Sequence, residues 1–343
     1  MPGIASAIRN VKRAIQRPFF GRQTARQPRL SRADTLPPGA VSSLQNYPSR
    51  IGDYTIDRQI GSGGFGLVYR GHSRATDKYV AIKAFHEGVA PEFLHREKDA
   101  LFALEHVPGV PTFEEVITEG NRQYLAMEFI PGETVDAQLR TRRLTGAPFT
   151  PTETRDILLN VLAIHQGVYG IKNEAGQGMV HRDLKPGNIM WRSDSRQHVL
   201  LDFGLATHEK KSVDGDLLCA EHVRGTPAYM APENFRGFSA HLGSEFYAVG
   251  IMAYELLTGR TPYRVNESRL SNGAMFNMYA KLHGNKKFPA LPLDCNLEGQ
   301  NPLVVQSIIN HFVSKLPTKR PRDHREAMRI ISALAPRDLG EIR

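Results

Sequence analysis

Two patterns divide this sequence, and the division limits the folds open to it. After Ile51 the runs YTIDRQI, LVYRGH and KYVAIKAF are short, β-branched and aromatic, with glycines and polar turns between them. Such runs predict an antiparallel meander. Phe93, Leu94, Ala100, Leu101 and Leu104 then recur at helical spacing, so one helix interrupts the strands before two more at 112–118 and 123–130. Beyond about residue 150 the apolar residues recur every three or four positions, over 152–165, 244–258, 302–315 and 324–334. Strands first and helices afterwards predict an α+β protein with a small sheet lobe and a larger helical one. No internal repeat competes with this reading.

Charge sharpens the boundary. Residues 1–50 hold nine of the 44 Lys and Arg residues but only one of the 35 acids, Asp34, so +8 of the +9 net charge lies there. The rest is nearly neutral, which argues against a body-wide, specific nucleic-acid surface. Residues 22–50 are rich in Arg, Pro, Ser and Gln and read as a flexible linker. Beyond them, 41% hydrophobic and 23% charged residues overall suffice for a sizeable core. The longest strongly apolar stretch, FYAVGIMAYELL at 246–257, is short of the ~18 residues of a membrane span and reads as a buried helix. Two cysteines, Cys219 and Cys295, exclude a disulfide framework and a four-cysteine zinc site, and fit a reducing, cytoplasmic compartment.

Several short motifs carry chemistry. GSGGFG spans Gly61, Ser62, Gly63, Gly64, Phe65 and Gly66, and strand-like text on both sides makes it a hairpin. A dinucleotide site would need a helix after those glycines. A glycine hairpin lets backbone amides approach phosphate oxygens. Lys83, in VAIK, is by itself an ordinary strand lysine. Glu97 changes that reading, because it falls on the apolar stripe of its helix, where a carboxylate is costly unless paired. A Lys83–Glu97 pair answers both, with Glu92 and Glu105 as weaker substitutes. In HRDLKPGN, Pro186 and Gly187 argue against an uninterrupted helix, so Asp183, Lys185 and Asn188 sit on a loop with side chains free to converge. DFG closes the apolar strand HVLL and places Asp202 at a strand end, a suitable magnesium ligand with Asn188 as the second.

Taken in order, GSGGFG, VAIK, HRDLKPGN, DFG and GTPAYMAPE resemble a eukaryotic-type serine/threonine protein kinase over roughly residues 51–335. The resemblance implies a two-lobed fold with lobes at about 51–130 and 131–335, followed by a C-terminal end at 336–343. It implies ATP and Mg2+ as cofactors and protein substrates, with oligomeric state left open. Asp183 would orient the attacking hydroxyl and take its proton, and Lys185 would neutralise the transferring phosphoryl. Lys83, paired to Glu97, would contact phosphates beneath Gly61, Gly63 and Gly66, while Asn188 and Asp202 would hold magnesium. Val68, Ala81 and Met127 would line the nucleotide site, with Glu128 to Ile130 as the hinge whose backbone binds adenine. Glu233 would pair with Arg320. Lys185 and Thr226 match the serine/threonine pattern. The intact Lys83, Asp183, Asn188 and Asp202 disfavour a non-catalytic binding module, and the APE segment disfavours a small-molecule kinase.

Two departures stand out. HQGVYGIKNEAGQGMV, before HRDLKPGN, is longer than the usual connection and is expected to be a surface loop. Glu245 stands where the family has an aspartate that braces the catalytic loop, and its extra methylene predicts reduced order there. Arg182 would need an anion from the segment between Asp202 and Glu233: Thr207, Ser212 beside Lys210 and Lys211, or the acids Asp214, Asp216 and Glu221, with Ser212 favoured. In residues 1–21, Ile4, Ile8, Val11 and Ile15 recur at helical spacing beside Arg9, Lys12, Arg13 and Arg17. That suits an amphipathic helix on an anionic membrane, against the alternative of a solvated disordered tail. An organelle transit peptide or bacterial secretion signal has the same composition, so a secreted effector stays open.

Overall fold

The computed structural model describes residues 47–209, 225–237, 241–292 and 295–335. The glycine-punctuated runs form strands β1 (Arg50–Ile51), β2 (Tyr54–Gly63), β3 (Gly66–Ser73) and β4 (Lys78–Phe85). Helix α1 (Glu92–Ala103) follows, then β5 (Phe113–Glu119) and β6 (Arg122–Glu128). These six strands make one antiparallel sheet in the order β1-β2-β3-β4-β6-β5. Alternation along β4 decides what each face does. Val80 and Ile82 join Ile51, Ile56, Tyr69, Ile117, Tyr124 and Ala126 in a small core on one face. Ala81 and Lys83 therefore project from the other. Register brings Val68 opposite Lys83, and Met127 opposite Ala81, so all four share that second face.

The helical part contains α2 (Val135–Thr145) and α3 (Pro151–Gly170), both before the segment 181–188. After it come α4 (Leu242–Thr258), α5 (Asn272–Asn285), α6 (Pro302–Phe312) and α7 (His324–Ser332). The apolar stretch read as a buried helix is α4, buried almost from end to end. It packs on α3 and α6, and α3 packs on α7. One large core unites α2, α3, α4, α6 and α7 with Ala100 and Leu101 of α1, with Leu104 just past it and with Phe203, while Tyr279 of α5 packs with Ala228 and Tyr263 in a separate cluster. The α+β, two-lobed arrangement is thus the observed one.

Sequence periodicity missed α2 and α5, for a physical reason. Only Val135 and Leu139 of α2 are buried, and only Tyr279 and His283 of α5, so neither carries a readable apolar stripe. The expected surface loop after His165 also needs correction. Helix α3 continues to Gly170, and the chain then folds back in a tight turn where Lys172 bridges to Gly178. Asn173 closes that turn by accepting from the Gln177 amide at 2.9 Å. Three short strand pairs carry the chain past the cleft. Strands β7 (Gly132–Thr134), β9 (Ile189–Arg192) and β10 (Gln197–Leu200) form one sheet in the order β10-β9-β7. Strands β8 (Met179–Val180) and β11 (Thr207–His208) form another. The basic stretch 1–46, Ser212, Asp214, Asp216, Glu221 and the end at 336–343 lie outside the described residues.

Candidate active site

Strand pairing explains why residues distant in sequence converge. Asn188 ends a short turn immediately before β9, and Asp202 follows β10 by two residues. Because Ile189 pairs with Leu200, the hairpin brings both side chains to one end. The Leu201 amide donates to Asn188 O at 2.8 Å and fixes that end. His181 joins it to the catalytic loop: its Nε2 donates to Leu201 O at 2.9 Å, and its Nδ1 accepts from the Asp183 amide at 3.2 Å. Full burial lowers the His181 pKa and keeps the ring neutral, as this pattern of one donor and one acceptor requires.

Asp183 is held on both carboxylate oxygens. Its Oδ1 accepts from the Thr226 amide at 2.8 Å and from Thr226 Oγ1 at 2.7 Å. Its Oδ2 accepts from Lys185 Nζ at 2.6 Å and from Asn188 Nδ2 at 3.1 Å. Lys185 also donates to Thr226 Oγ1 at 2.7 Å, closing a triangle of three side chains. Thr226 was read from the sequence only as a marker of hydroxyl preference, and its place against Asp183 went unseen. No local pattern signals it, because the two residues meet only through the tertiary fold.

Lys83 reaches across the cleft from β4. Its Nζ lies 2.7 Å from Glu97 Oε2 and 2.8 Å from Asp202 Oδ1. Burial works against the charge of Lys83, but the two carboxylates outweigh it and raise its pKa. Burial likewise opposes the charge of Asp202, and Lys83 overcomes it, holding that carboxyl below its usual range. Glu97 is pushed up to about 7, chiefly by enclosure and against the pull of Lys83. Glu92 begins α1 and Glu105 lies beyond its end, so neither occupies the place of Glu97. Gly204 lies close beside this network: a Cβ there would sit 3.1 Å from Glu97 Oε2, tighter than an ordinary contact. Arg182 and Asp202 both have left-handed backbone, with φ of 70° and 64°. Non-glycine residues in that region store ~1–3 kcal/mol of strain and cluster at functional sites.

The glycine hairpin roofs this face. Gly63 pairs with Gly66, so Gly64 and Phe65 form the tip, and Gly61 and Ser62 lie on the approaching strand. The His86 amide donates to Phe65 O at 3.0 Å, and the Phe65 ring packs 4.9 Å from Phe93 of α1. Val68, Ala81 and Met127 lie on the Lys83 face, and Ile130 is buried just past β6. In the expected hinge the Glu128 amide donates to Thr112 O at 2.8 Å. The Ile130 amide makes no hydrogen bond among the described residues. Farther down, Arg320 donates to Glu233 through both terminal nitrogens, at 2.6 and 2.9 Å.

At the expected brace, Glu245 Oε1 accepts from the Arg182 amide at 3.0 Å. The longer side chain reaches the loop while its second oxygen turns towards His165, a neighbour that sequence reading had not singled out.

Residues 54–332 match the family described as protein kinase domain. The chain is similar to the serine/threonine-protein kinase pkn2 of Myxococcus xanthus, at 30% identity over 291 residues, covering 82% of this chain and 32% of that protein. It is 30% identical to the serine/threonine-protein kinase AtPK1/AtPK6 of Arabidopsis thaliana over 226 residues, covering 64% of this chain and 45% of that one. With the serine/threonine-protein kinase pkn3 of Myxococcus xanthus it shares 30% identity over 277 residues, or 78% and 47% of the two chains. The chain spans about a third to a half of the length of these relatives.

Proposed function

The chain belongs to the protein kinase family, and from that premise we propose that it is a serine/threonine protein kinase acting on protein substrates with ATP. The observation that carries the proposal is the geometry of Asp183, a carboxylate fixed by Thr226, Lys185 and Asn188 beside the Lys83–Asp202 pair. Phosphoryl transfer asks a protein for positioning and charge stabilisation more than for covalent chemistry. Asp183 orients a serine or threonine hydroxyl and takes its proton as oxygen bonds to the γ-phosphorus. The bond to the β-phosphate oxygen breaks, and ADP leaves. Lys185 and Lys83 offset charge on the phosphate oxygens.

The donor set fits magnesium. Asn188 commits its Nδ2 to Asp183, so Oδ1 is its remaining hard donor, without a hydrogen bond among the described residues. Asp202 gives Oδ1 to Lys83 and keeps Oδ2 for the same use. Magnesium bound there supplies positive charge against the phosphates. A Cβ at Gly63 or Gly64 would meet nothing within 4 Å, which suits a backbone that must lie close to phosphate. Val68, Ala81 and Met127 offer an apolar wall for adenine, and the Ile130 amide offers a hinge donor.

Incubation with labelled ATP, magnesium and a generic basic protein tests this reading, with phosphosites mapped by mass spectrometry. The expected result is label on serine and threonine, lost with Asp183→Ala. No transfer by the wild-type chain, or equal transfer by the variant, would overturn it. Among the described residues no helix is long and apolar enough to cross a membrane. For residues 1–21 the proposal is peripheral attachment to an anionic membrane from a reducing, cytoplasmic side.

A further inference from the structure

The long connection before the catalytic loop folds into a dock. Helix α3 runs on to Gly170, and the turn behind it brings Gly178 back against Tyr169. A Cβ at Gly178 would sit 2.5 Å from the Tyr169 ring and 2.6 Å from Tyr169 O, so any larger residue would push the turn off the helix. Lys172, in the same turn, places its Nζ 3.7 Å from the centre of that ring. The Tyr169 hydroxyl reaches out of this packing and donates to Glu209 Oε2 at 2.7 Å. Burial first, and then Glu209, raise the Tyr169 pKa to about 12, so the hydroxyl keeps the proton it donates.

Glu209 is held at two further points. Its amide donates to Gly178 O at 2.8 Å, and its Oε1 accepts from the amide of Leu242, the first residue of α4, at 2.6 Å. The preceding residue, His241, makes no side-chain cap among the described residues. A carboxylate from another segment therefore satisfies that amide, at the end of the helix where its dipole favours negative charge. The place of this contact gives it a consequence. Strands β8 and β11 pair over two residues each, and so short a pair is marginal by itself. Strand β8 runs directly into His181 and Asp183, and β11 leaves the DFG segment that begins with Asp202. The bond from Glu209 to Gly178 lengthens this ladder by one step, and the Glu209 side chain closes its open end.

We propose that Glu209 is a positioning residue for phosphoryl transfer, docked on Tyr169 and Gly178 of the long connection. Residues 166–178 then brace the β8–β11 pair, and through it the backbone that carries Asp183 and Asp202. This rests on the kinase reading above.

The test compares Glu209→Ala, Glu209→Gln, Tyr169→Phe and the Glu209→Ala/Tyr169→Phe double variant with the wild-type chain. For each, kcat, KM for ATP and melting temperature are measured, and exchange of the amide at position 209 is followed by NMR. Glu209→Ala should lower kcat ~10-fold and speed that exchange by a similar factor, the scale of a coupled contact. KM for ATP should stay within ~3-fold, because Val68, Ala81 and Met127 lie on the other lobe. Glu209→Gln should recover kcat to within ~3-fold of wild type, since its amide oxygen accepts from Leu242 and its N–H donates to the Tyr169 oxygen. Tyr169→Phe keeps the ring on Gly178, loses one bond and should cost ~3-fold. With Glu209→Ala already present, Tyr169→Phe should cost little more. Unchanged kcat and exchange in Glu209→Ala would overturn the proposal, as would losses that simply multiply in the double variant. A fall in melting temperature alone would mark Glu209 as a helix cap and overturn it equally. If Glu209→Ala does not fold, Glu209→Ser against Glu209→Gln makes the same comparison. If the wild-type chain shows no transfer, the kinase reading fails, while exchange at position 209 in Tyr169→Phe still decides whether the connection holds this strand.

Discussion

Asp183 and Lys83 have different work, and their loss should read differently. Asp183→Ala removes the proton acceptor and the anchor of Thr226, Lys185 and Asn188, so kcat should fall at least ~100-fold with melting temperature little changed. Lys83→Ala should lower the rate on the same scale, but it also leaves Glu97 buried without its ammonium. Its melting temperature should fall as well, and wild-type stability in that variant would refute the pairing. Glycines of the hairpin separate just as clearly. A Cβ at Gly66 would sit 2.1 Å from Ala84 O, so β3 and β4 would have to part. Gly66→Ala should cost ~1–3 kcal/mol by denaturant titration and raise KM for ATP. Gly63→Ala meets nothing and should stay within ~0.5 kcal/mol. Lys83 and Glu97 were legible in sequence because a charge on an apolar stripe demands a partner. Thr226 was not, since its demand is created by Asp183 folding against it.

At the scale of elements, the Glu233–Arg320 pair ties the turn after Met230 to the segment before α7. The Arg320 side chain is wholly enclosed, so Arg320→Met strands a largely buried carboxylate and should cost ~3–5 kcal/mol. Burial opposes ionisation of Glu233, but Arg320 prevails and lowers its pKa from the ordinary 4.5. A depressed carboxyl contributes stability that is complete above 4.5 and is lost as pH falls through the lower folded value. The melting-temperature gap between wild type and Glu233→Gln should therefore be widest near neutral pH and narrow below pH 4.5. A constant gap would count against the pair as the cause. At the start of α3, Thr150 accepts from the Glu153 amide at 3.2 Å while Glu153 accepts from the Thr150 amide at 2.9 Å. Thr150→Ala should cost ~1 kcal/mol, checked by thermal melts. That helix was legible from its apolar spacing. Helices α2 and α5 were not, because each buries too few side chains to write a period.

For the whole molecule, the charge of residues 1–50 sets the chain's first 21 residues apart from a nearly neutral body. Each cation near an anionic surface is worth ~1 kcal/mol, so Arg9, Lys12, Arg13 and Arg17 with four aliphatics should give reversible attachment. The full chain should sediment with anionic liposomes at low salt and release at high salt, while a chain beginning at Asn46 should stay in solution and keep its transfer activity. Equal behaviour of the two chains would remove the membrane reading. The sequence by itself determined the order of sheet before helices, the glycine hairpin, and the residue types of the candidate site. The first two follow from period and turn chemistry, which act within a few residues, and the site residues from the cost of burying charge together with the resemblance of the ordered motifs. Only the tertiary structure decided that Thr226 closes on Asp183, that Asn188 and Asp202 meet at the end of one hairpin, and that Glu245 reaches Arg182 with His165 behind it. Those contacts join segments 14 or more residues apart, and their geometry depends on strand register and helix packing that no local pattern encodes.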